Sequence, residues 1–73
     1  MEAMVDAVSV TVNGKPVRLA AGTTVQEFLA SKGYHDRLVV VELNEAILSR
    51  SAFASTVLSD DDRLEIVHFV GGG

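Results

Sequence analysis

"VSVTVNGKPVRL", residues 8–19, decides how the chain begins to fold. Val8, Val10 and Val12 alternate with Ser9 and Thr11. A period of two is the mark of a strand with one buried face. Asn13 and Gly14 then break the apolar run. Both residue types tolerate positive φ, and such a pair between apolar runs is the strongest short-range hairpin signal. A β-hairpin is therefore expected, with strands over roughly residues 6–12 and 16–20.

The next stretch, "AAGTTVQEFLASKGY" (residues 20–34), changes period. Val25, Phe28 and Leu29 have the i, i+3, i+4 spacing of one helical face. Thr24 with Glu27, or Thr23 with Gln26, can form a capping box at the helix start. Gly33 reads as the left-handed residue that closes the helix. The pattern predicts a helix over about residues 24–32. "LVVVEL" (38–43) is a β-branched run that suits a strand buried on much of both faces. "NEA" turns the chain, and "ILS" gives a short strand. Residues 50–59 are expected to loop around an anchor at Phe53, "SDDD" (59–62) is a polar turn, and Leu64 to Val70 is the last strand.

The order is β-β-α-β-(short β)-β. One helix interrupts the strands, so it must cross one face of a mixed sheet and bury Val25, Phe28 and Leu29 there. The first and last strands can then lie side by side in the centre. The expected class is α+β, with residues 1–70 as a single domain and 71–73 as a flexible glycine tail.

Composition narrows the function. Of 73 residues 48% are hydrophobic and 22% charged, too apolar for a disordered chain. A domain this short buries only about 60% of the surface of its unfolded chain. That leaves room for a core but hardly for a deep catalytic cleft. The net charge is −4, and the six basic residues are scattered rather than gathered in a stripe. Nucleic acid is a poor match, because phosphates need clustered Lys and Arg. A charge-guided protein partner would present a basic surface. The absence of cysteine removes disulfides, thiolate metal sites and thiol nucleophiles, and it fits the cytoplasm. "MEAMVDAVSV" lacks the basic and apolar regions of a signal peptide. No stretch approaches the roughly 20 apolar residues that span a bilayer. A soluble cytoplasmic protein is expected.

Few residues qualify for chemistry. His35 and His68 are far apart and would need a third converging ligand to hold a metal; no metal site is expected. Asp60, Asp61 and Asp62 lack the spaced oxygens, glycine and distal glutamate of a calcium loop. They read as a solvated turn or as an acidic patch facing a partner. Ser49, Ser51 and Ser55 are nucleophiles by type only, with no histidine or acid marked beside them.

The ending "HFVGGG" (68–73) remains. A frayed terminus is the plainest account of it. The functional account is a thread: glycine has no side chain, and three extended residues reach roughly 10 Å. Gly71 and Gly72 could pass a narrow channel of another protein and deliver the carboxylate of Gly73.

Read together, "VNGKPV", "GTTVQEFLASKG" and "VVVELNEAILSRSAFASTVLSDDDRLEIVHFVGGG" resemble the ubiquitin-like sulfur carriers with a β-grasp fold. The resemblance is greatest to the ThiS family, which serves the thiazole branch of thiamin biosynthesis. It covers nearly the whole chain after about residue 8. Two departures stand out: Phe53 replaces a common tryptophan, and "SDDD" lacks a glycine often seen in that turn. The resemblance implies that the chain is not an enzyme but a co-substrate. An adenylating, E1-like partner would activate Gly73 with ATP and magnesium. A sulfur donor, a cysteine desulfurase or persulfide protein, would turn the adenylate into a thiocarboxylate, and thiazole synthase would take the sulfur. The chain itself would bind no cofactor.

The resemblance also puts Leu64 and Ile66 under the helix. Val67 and Phe69 then face solvent, joined by Val40 if Val39, Val41 and Leu43 point inward. With Asp60, Asp61 and Asp62 they make the expected partner-docking surface. Three other readings stay open: the small-subunit sulfur carrier of molybdopterin synthase, a protein modifier, and a non-catalytic interaction domain.

Overall fold

The computed structural model describes residues 6–34 and 38–69. Strands β1 (Ala7–Val12) and β2 (Lys15–Ala20) form the expected hairpin, paired from Val12↔Lys15 to Ala7↔Ala20. Asn13 and Gly14 occupy its turn with φ of 50° and 84°, the left-handed pair that a two-residue hairpin turn requires.

Helix α1 (Val25–Ser31) is one residue shorter at each end than the sequence predicts. Thr24 is its N-cap, with a complete capping box: Glu27 N–H donates to Thr24 Oγ1 at 3.1 Å and Thr24 N–H to Glu27 Oε1 at 3.0 Å. Thr23 is not the cap; its hydroxyl donates to Ala20 O at 2.6 Å. The loop after residue 52 completes the helix start. Val25 N–H donates to Thr56 O at 2.9 Å and Gln26 N–H to Phe53 O at 3.1 Å. The first N–H groups of a helix have no partner inside it, so this loop is built against the helix by their demand. At the other end Gly33 N–H donates to Ala30 O and Tyr34 N–H to Leu29 O, both at 3.0 Å. With Gly33 at φ 79°, this is the paired-bond closure that a glycine after the C-cap permits.

β3 (Val39–Leu43), β4 (Ala46–Leu48) and β5 (Arg63–His68) complete a five-stranded sheet of order β2-β1-β5-β3-β4. β1 and β5 are parallel and every other pairing is antiparallel. The first and last strands thus lie side by side in the centre, as expected. α1 covers one face, giving the mixed sheet and single crossing helix of a ubiquitin-like β-grasp fold.

Three sequence expectations are corrected. β3 is not buried on both faces: Val39 and Val41 are buried, while Val40 and Glu42 are exposed. α1 covers one side only, so the strand must alternate. The β3–β4 turn is Asn44-Glu45, at φ 52° and 74°, and Ala46 already belongs to β4. β5 starts at Arg63 and ends at His68; Val70 lies outside the described residues.

The core is continuous. Phe28, Leu29 and Val25 from the helix meet Val10, Val39, Val41, Leu64 and Ile66 from the sheet. Phe53 and Leu58 close it from the loop, so the expected anchor at Phe53 is in place. Burying one such aliphatic or aromatic side chain contributes about 1.5–3 kcal/mol. Ten apolar residues are buried in this way among the described residues.

Candidate functional site

β5 is the strand that leads to the glycine tail, and the sheet fixes it from both sides. Thr11 N–H donates to Asp62 O at 2.9 Å and Asn13 N–H to Leu64 O at 2.9 Å on the β1 side. On the β3 side, pairs run from Leu43↔Leu64 to Val39↔His68. Asn44 adds a clamp at the start of the strand. Its backbone N–H donates to Arg63 O at 2.8 Å, and its Oδ1 accepts Arg63 N–H at 2.9 Å. Phe69 N–H donates to Leu38 O at 2.8 Å, extending the pairing one residue past β5. Gly71, Gly72 and Gly73 lie outside the described residues, as does His35.

The alternation of β5 separates its two faces. Leu64 and Ile66 point under α1 and are buried, 0% and 6% exposed. Val67 and Phe69 point away from it, 54% and 53% exposed. Val40 is the Cα partner of Val67 and shares that outer face. The three apolar residues expected there are thus brought together on the helix-free side, next to the point where the chain leaves the sheet. Isolated exposed apolar residues are common; a cluster rimmed by charge is characteristic of an interaction surface.

The acidic turn is built differently from a free charged loop. Asp60 Oδ1 accepts Ser9 N–H at 2.7 Å, and Asp61 N–H donates to Ser9 O at 2.7 Å. Asp62 Oδ2 accepts Ser59 N–H at 2.7 Å, while Oδ1 accepts the Asn44 side-chain N–H at 2.9 Å. Two of the three carboxylates therefore stitch the turn to β1 and to the β3–β4 turn. Asp61 takes φ 71°, the conformation for which a glycine is the usual choice.

Other residues singled out by type are occupied locally. Ser49 and Ser51 share a hydrogen bond of 2.9 Å between their hydroxyls, and Ser49 caps the 3-10 turn of Arg50–Ala52. Ser55 Oγ donates to Ala52 O at 3.3 Å. His68 meets Tyr34 edge-on, with ring centroids 5.1 Å apart and an interplanar angle of 63°. Among the described residues no three His, Cys, Asp or Glu side chains gather as a metal-ligand set. An open groove of about 450 Å³ runs between β2 and α1, lined by Arg18, Thr23, Glu27 and Ser31 among others. Three of its polar groups are spent on the fold: Thr23 Oγ1 donates to Ala20 O, Glu27 Oε1 accepts Thr24 N–H, and Ser31 Oγ donates to Phe28 O at 2.7 Å. Among the described residues no helix is long and apolar enough to cross a membrane.

Residue reading missed three neighbours on the outer face. Glu65 and Glu42 are Cα partners there, and Ile47, 73% exposed, is the partner of Glu42 on β4. The signal was present in "VVVEL", where Val40 and Glu42 are two apart and so share a face.

Comparison with known proteins agrees with this geometry. The model of the ThiS family matches residues 10–73. The sulfur carrier protein ThiS of Bacillus subtilis is 44% identical over 62 residues, which cover 84% of this chain and 94% of that protein. A thiazole synthase of Magnetococcus marinus is 44% identical over 61 residues, but the matched stretch is only 19% of its length. The crystal structure of the ThiS protein of Geobacter metallireducens superposes with a TM-score of 0.75 at 40% identity, covering 90% of this chain and all of that one.

Proposed function

Since this chain belongs to the ThiS family, we propose that it is the sulfur carrier of thiazole formation in thiamin biosynthesis, with the Gly73 carboxylate as its working group. The observation that carries this reading is the extent of the family match: it runs from Val10 through the three glycines to Gly73. The matched thiazole synthase supports the partner, because a carrier-like segment and a thiazole synthase there share one polypeptide.

An α-carboxyl group titrates near ~3.5 and is ionised at pH 7, so it resists nucleophiles. An adenylating enzyme removes that resistance. A carboxylate oxygen of Gly73 attacks the α-phosphorus of ATP, and magnesium pyrophosphate leaves. The acyl carbon of the resulting adenylate is then attacked by a persulfide sulfur, and AMP leaves. Reductive cleavage of the acyl disulfide by a thiol leaves the thiocarboxylate, which carries the sulfur to thiazole synthase. ATP, magnesium and the catalytic residues belong to the partners. This chain supplies a rigid body, a side-chain-free thread at Gly71 and Gly72, and the docking face of Val40, Val67 and Phe69. It acts in solution in the cytoplasm, and the acidic turn of Asp60, Asp61 and Asp62 would lie toward a basic rim of the partner.

Incubation with ATP, the adenylating enzyme and a sulfur donor, followed by intact-mass measurement, tests the reading. Replacement of one oxygen by sulfur at the C-terminus is expected. A conjugate to another protein would mean a modifier, and an unchanged mass an inert interaction domain.

A further inference from the structure

The β1–β2 turn is also a reactive pair. The backbone nitrogen of Gly14 can attack Cγ of Asn13 and close a five-membered imide ring. The bond from Gly14 N to Asn13 Cγ forms and the bond from Asn13 Cγ to Nδ2 breaks. The carboxamide nitrogen leaves as ammonia, taking the Gly14 amide proton. Water then opens the ring. Cleavage at Cγ leaves aspartate; cleavage at the backbone carbonyl leaves isoaspartate, with one more carbon in the main chain. Water is the one co-reactant. Glycine favours the attack because no side chain shields its nitrogen, and a Cβ at Gly14 would meet nothing within 4 Å. Asn13 and Gly14 are both exposed, so water reaches them.

One contact stands against this reaction. Asn13 Nδ2 donates to Ile66 O at 3.2 Å, and Asn13 Oδ1 accepts Ile66 N–H at 2.7 Å. Attack needs the carboxamide carbon to turn its face to Gly14 N at about 3–3.5 Å. With both polar atoms bonded to β5, the carboxamide plane is fixed and the leaving nitrogen is tied down. The strand depends on the same contact. β5 pairs with β1 at Thr11↔Arg63 and Val12↔Leu64. Beyond Leu64, among the described residues, its hydrogen bonds on that side go to Asn13. The clasp needs a donor and an acceptor in one planar group, which an amide has and a carboxylate lacks. After conversion an oxygen replaces Nδ2 opposite Ile66 O, leaving two acceptors with no proton between them. Isoaspartate also lengthens the turn that sets the β1–β2 register.

We propose that Asn13 is a latent self-modification site, guarded by its clasp on Ile66. While β1 and β5 stay joined, the asparagine persists. A molecule whose central strands part exposes the pair, converts, and on closing again has no clasp to restore. The conversion runs one way, so each opening long enough to react lowers the stability of that molecule for good. Asn44 is the internal comparison. Its side chain is also held at both ends, with Nδ2 donating to Asp62 Oδ1 and Oδ1 accepting Arg63 N–H, each at 2.9 Å. The residue after it is Glu45, whose side chain hinders attack by its backbone nitrogen.

The test holds the full chain in mildly alkaline buffer across a denaturant series. Conversion at Asn13 and Asn44 is read by peptide mapping with mass detection, beside NMR exchange of the Ile66 amide proton. Conversion at Asn13 should be slower in the native chain than in the unfolded chain by about tenfold or more, the scale set by two ordinary hydrogen bonds. Below the unfolding transition it should rise in step with exchange at Ile66, the signature of local opening. Asn44 should lag far behind Asn13 in the unfolded chain. Equal rates at Asn13 in the native and unfolded chains overturn the guard. Equal rates at Asn13 and Asn44 in the unfolded chain, or no conversion there at all, overturn the reactive pair. The converted chain, separated by its added negative charge, and the variant Asn13→Asp should both melt below the parent. If both melt with the parent, conversion leaves the strand joint intact and the proposal fails.

Discussion

The side chain of Asn13 and the backbone of Ile66 hold each other by two hydrogen bonds. Asn13 Nδ2 donates to Ile66 O at 3.2 Å, and Asn13 Oδ1 accepts Ile66 N–H at 2.7 Å. β1 has already ended at Val12, so a side-chain amide continues the parallel ladder where no backbone is left. The same residue also supplies the left-handed turn at φ 50°. Two substitutions separate these roles. Asn13→Gly keeps the turn and loses the clasp, and should cost about 1–2 kcal/mol. Asn13→Ala loses both and should cost about 1 kcal/mol more. Chemical denaturation of the two variants checks the order.

Glu45 sits at φ 74° with neither the freedom of glycine nor the local bonding of asparagine. Left-handed backbone costs such a residue about 1–2 kcal/mol. Glu45→Gly should therefore stabilise the β3–β4 turn by about 1 kcal/mol after the entropy loss of glycine is counted. For a domain of this size that is a rise of about 4–8 °C in melting temperature, readable by calorimetry. A fall would mean that the Glu45 side chain contributes contacts of its own.

Phe28, 2% exposed, lies between α1 and the sheet. Phe28→Ala should cost about 3–5 kcal/mol. A small domain has only ~5–10 kcal/mol to lose, so partial unfolding at room temperature is expected, visible as lost near-native amide dispersion in an NMR spectrum.

The tail and the body should fail independently. Gly72→Val, or one residue added after Gly73, should abolish thiocarboxylate formation and leave the melting temperature unchanged. On the proposed threading, the first would put a branched side chain in the partner's channel, and the second would displace the carboxylate from its adenylation centre. Normal thiocarboxylation of either variant, read by intact mass, would sink the threading model.

Phe69 is half exposed beside the tail. Phe69→Ser should weaken binding to the adenylating enzyme by about tenfold or more, the effect of losing an aromatic anchor, with thermal stability nearly unchanged. Calorimetric titration beside a melting curve gives both numbers.

What the sequence made legible was local. The Asn13-Gly14 turn, the Thr24–Glu27 box, the stripe of Phe28 and Leu29, and the glycine after the helix each depend on residues a few positions apart. What it hid depends on partners far along the chain. Three successive valines do not by themselves show which one faces water; the outward Val40 was expected only on the condition that Val39 and Val41 point inward, and the pairing of β3 with β5 meets that condition. The carboxylate of Asp60 looks free until Ser9, 51 residues away, is brought beside it. Glu42 and Glu65 are unremarkable singly; the register alone sets them face to face.

The order β2-β1-β5-β3-β4 also constrains when the molecule can exist. β1 and β3 are joined only through β5, the latest in sequence of the described strands. Until it arrives, the nascent chain holds two separate hairpin halves and a helix with no sheet to cover, each too small to persist alone. Closure pairs the earliest described strand with the latest, so it cannot occur before residues 63–68 are free to pair. A chain that stops short of β5 should therefore stay open to proteases, because neither hairpin has the strand that joins it to the other.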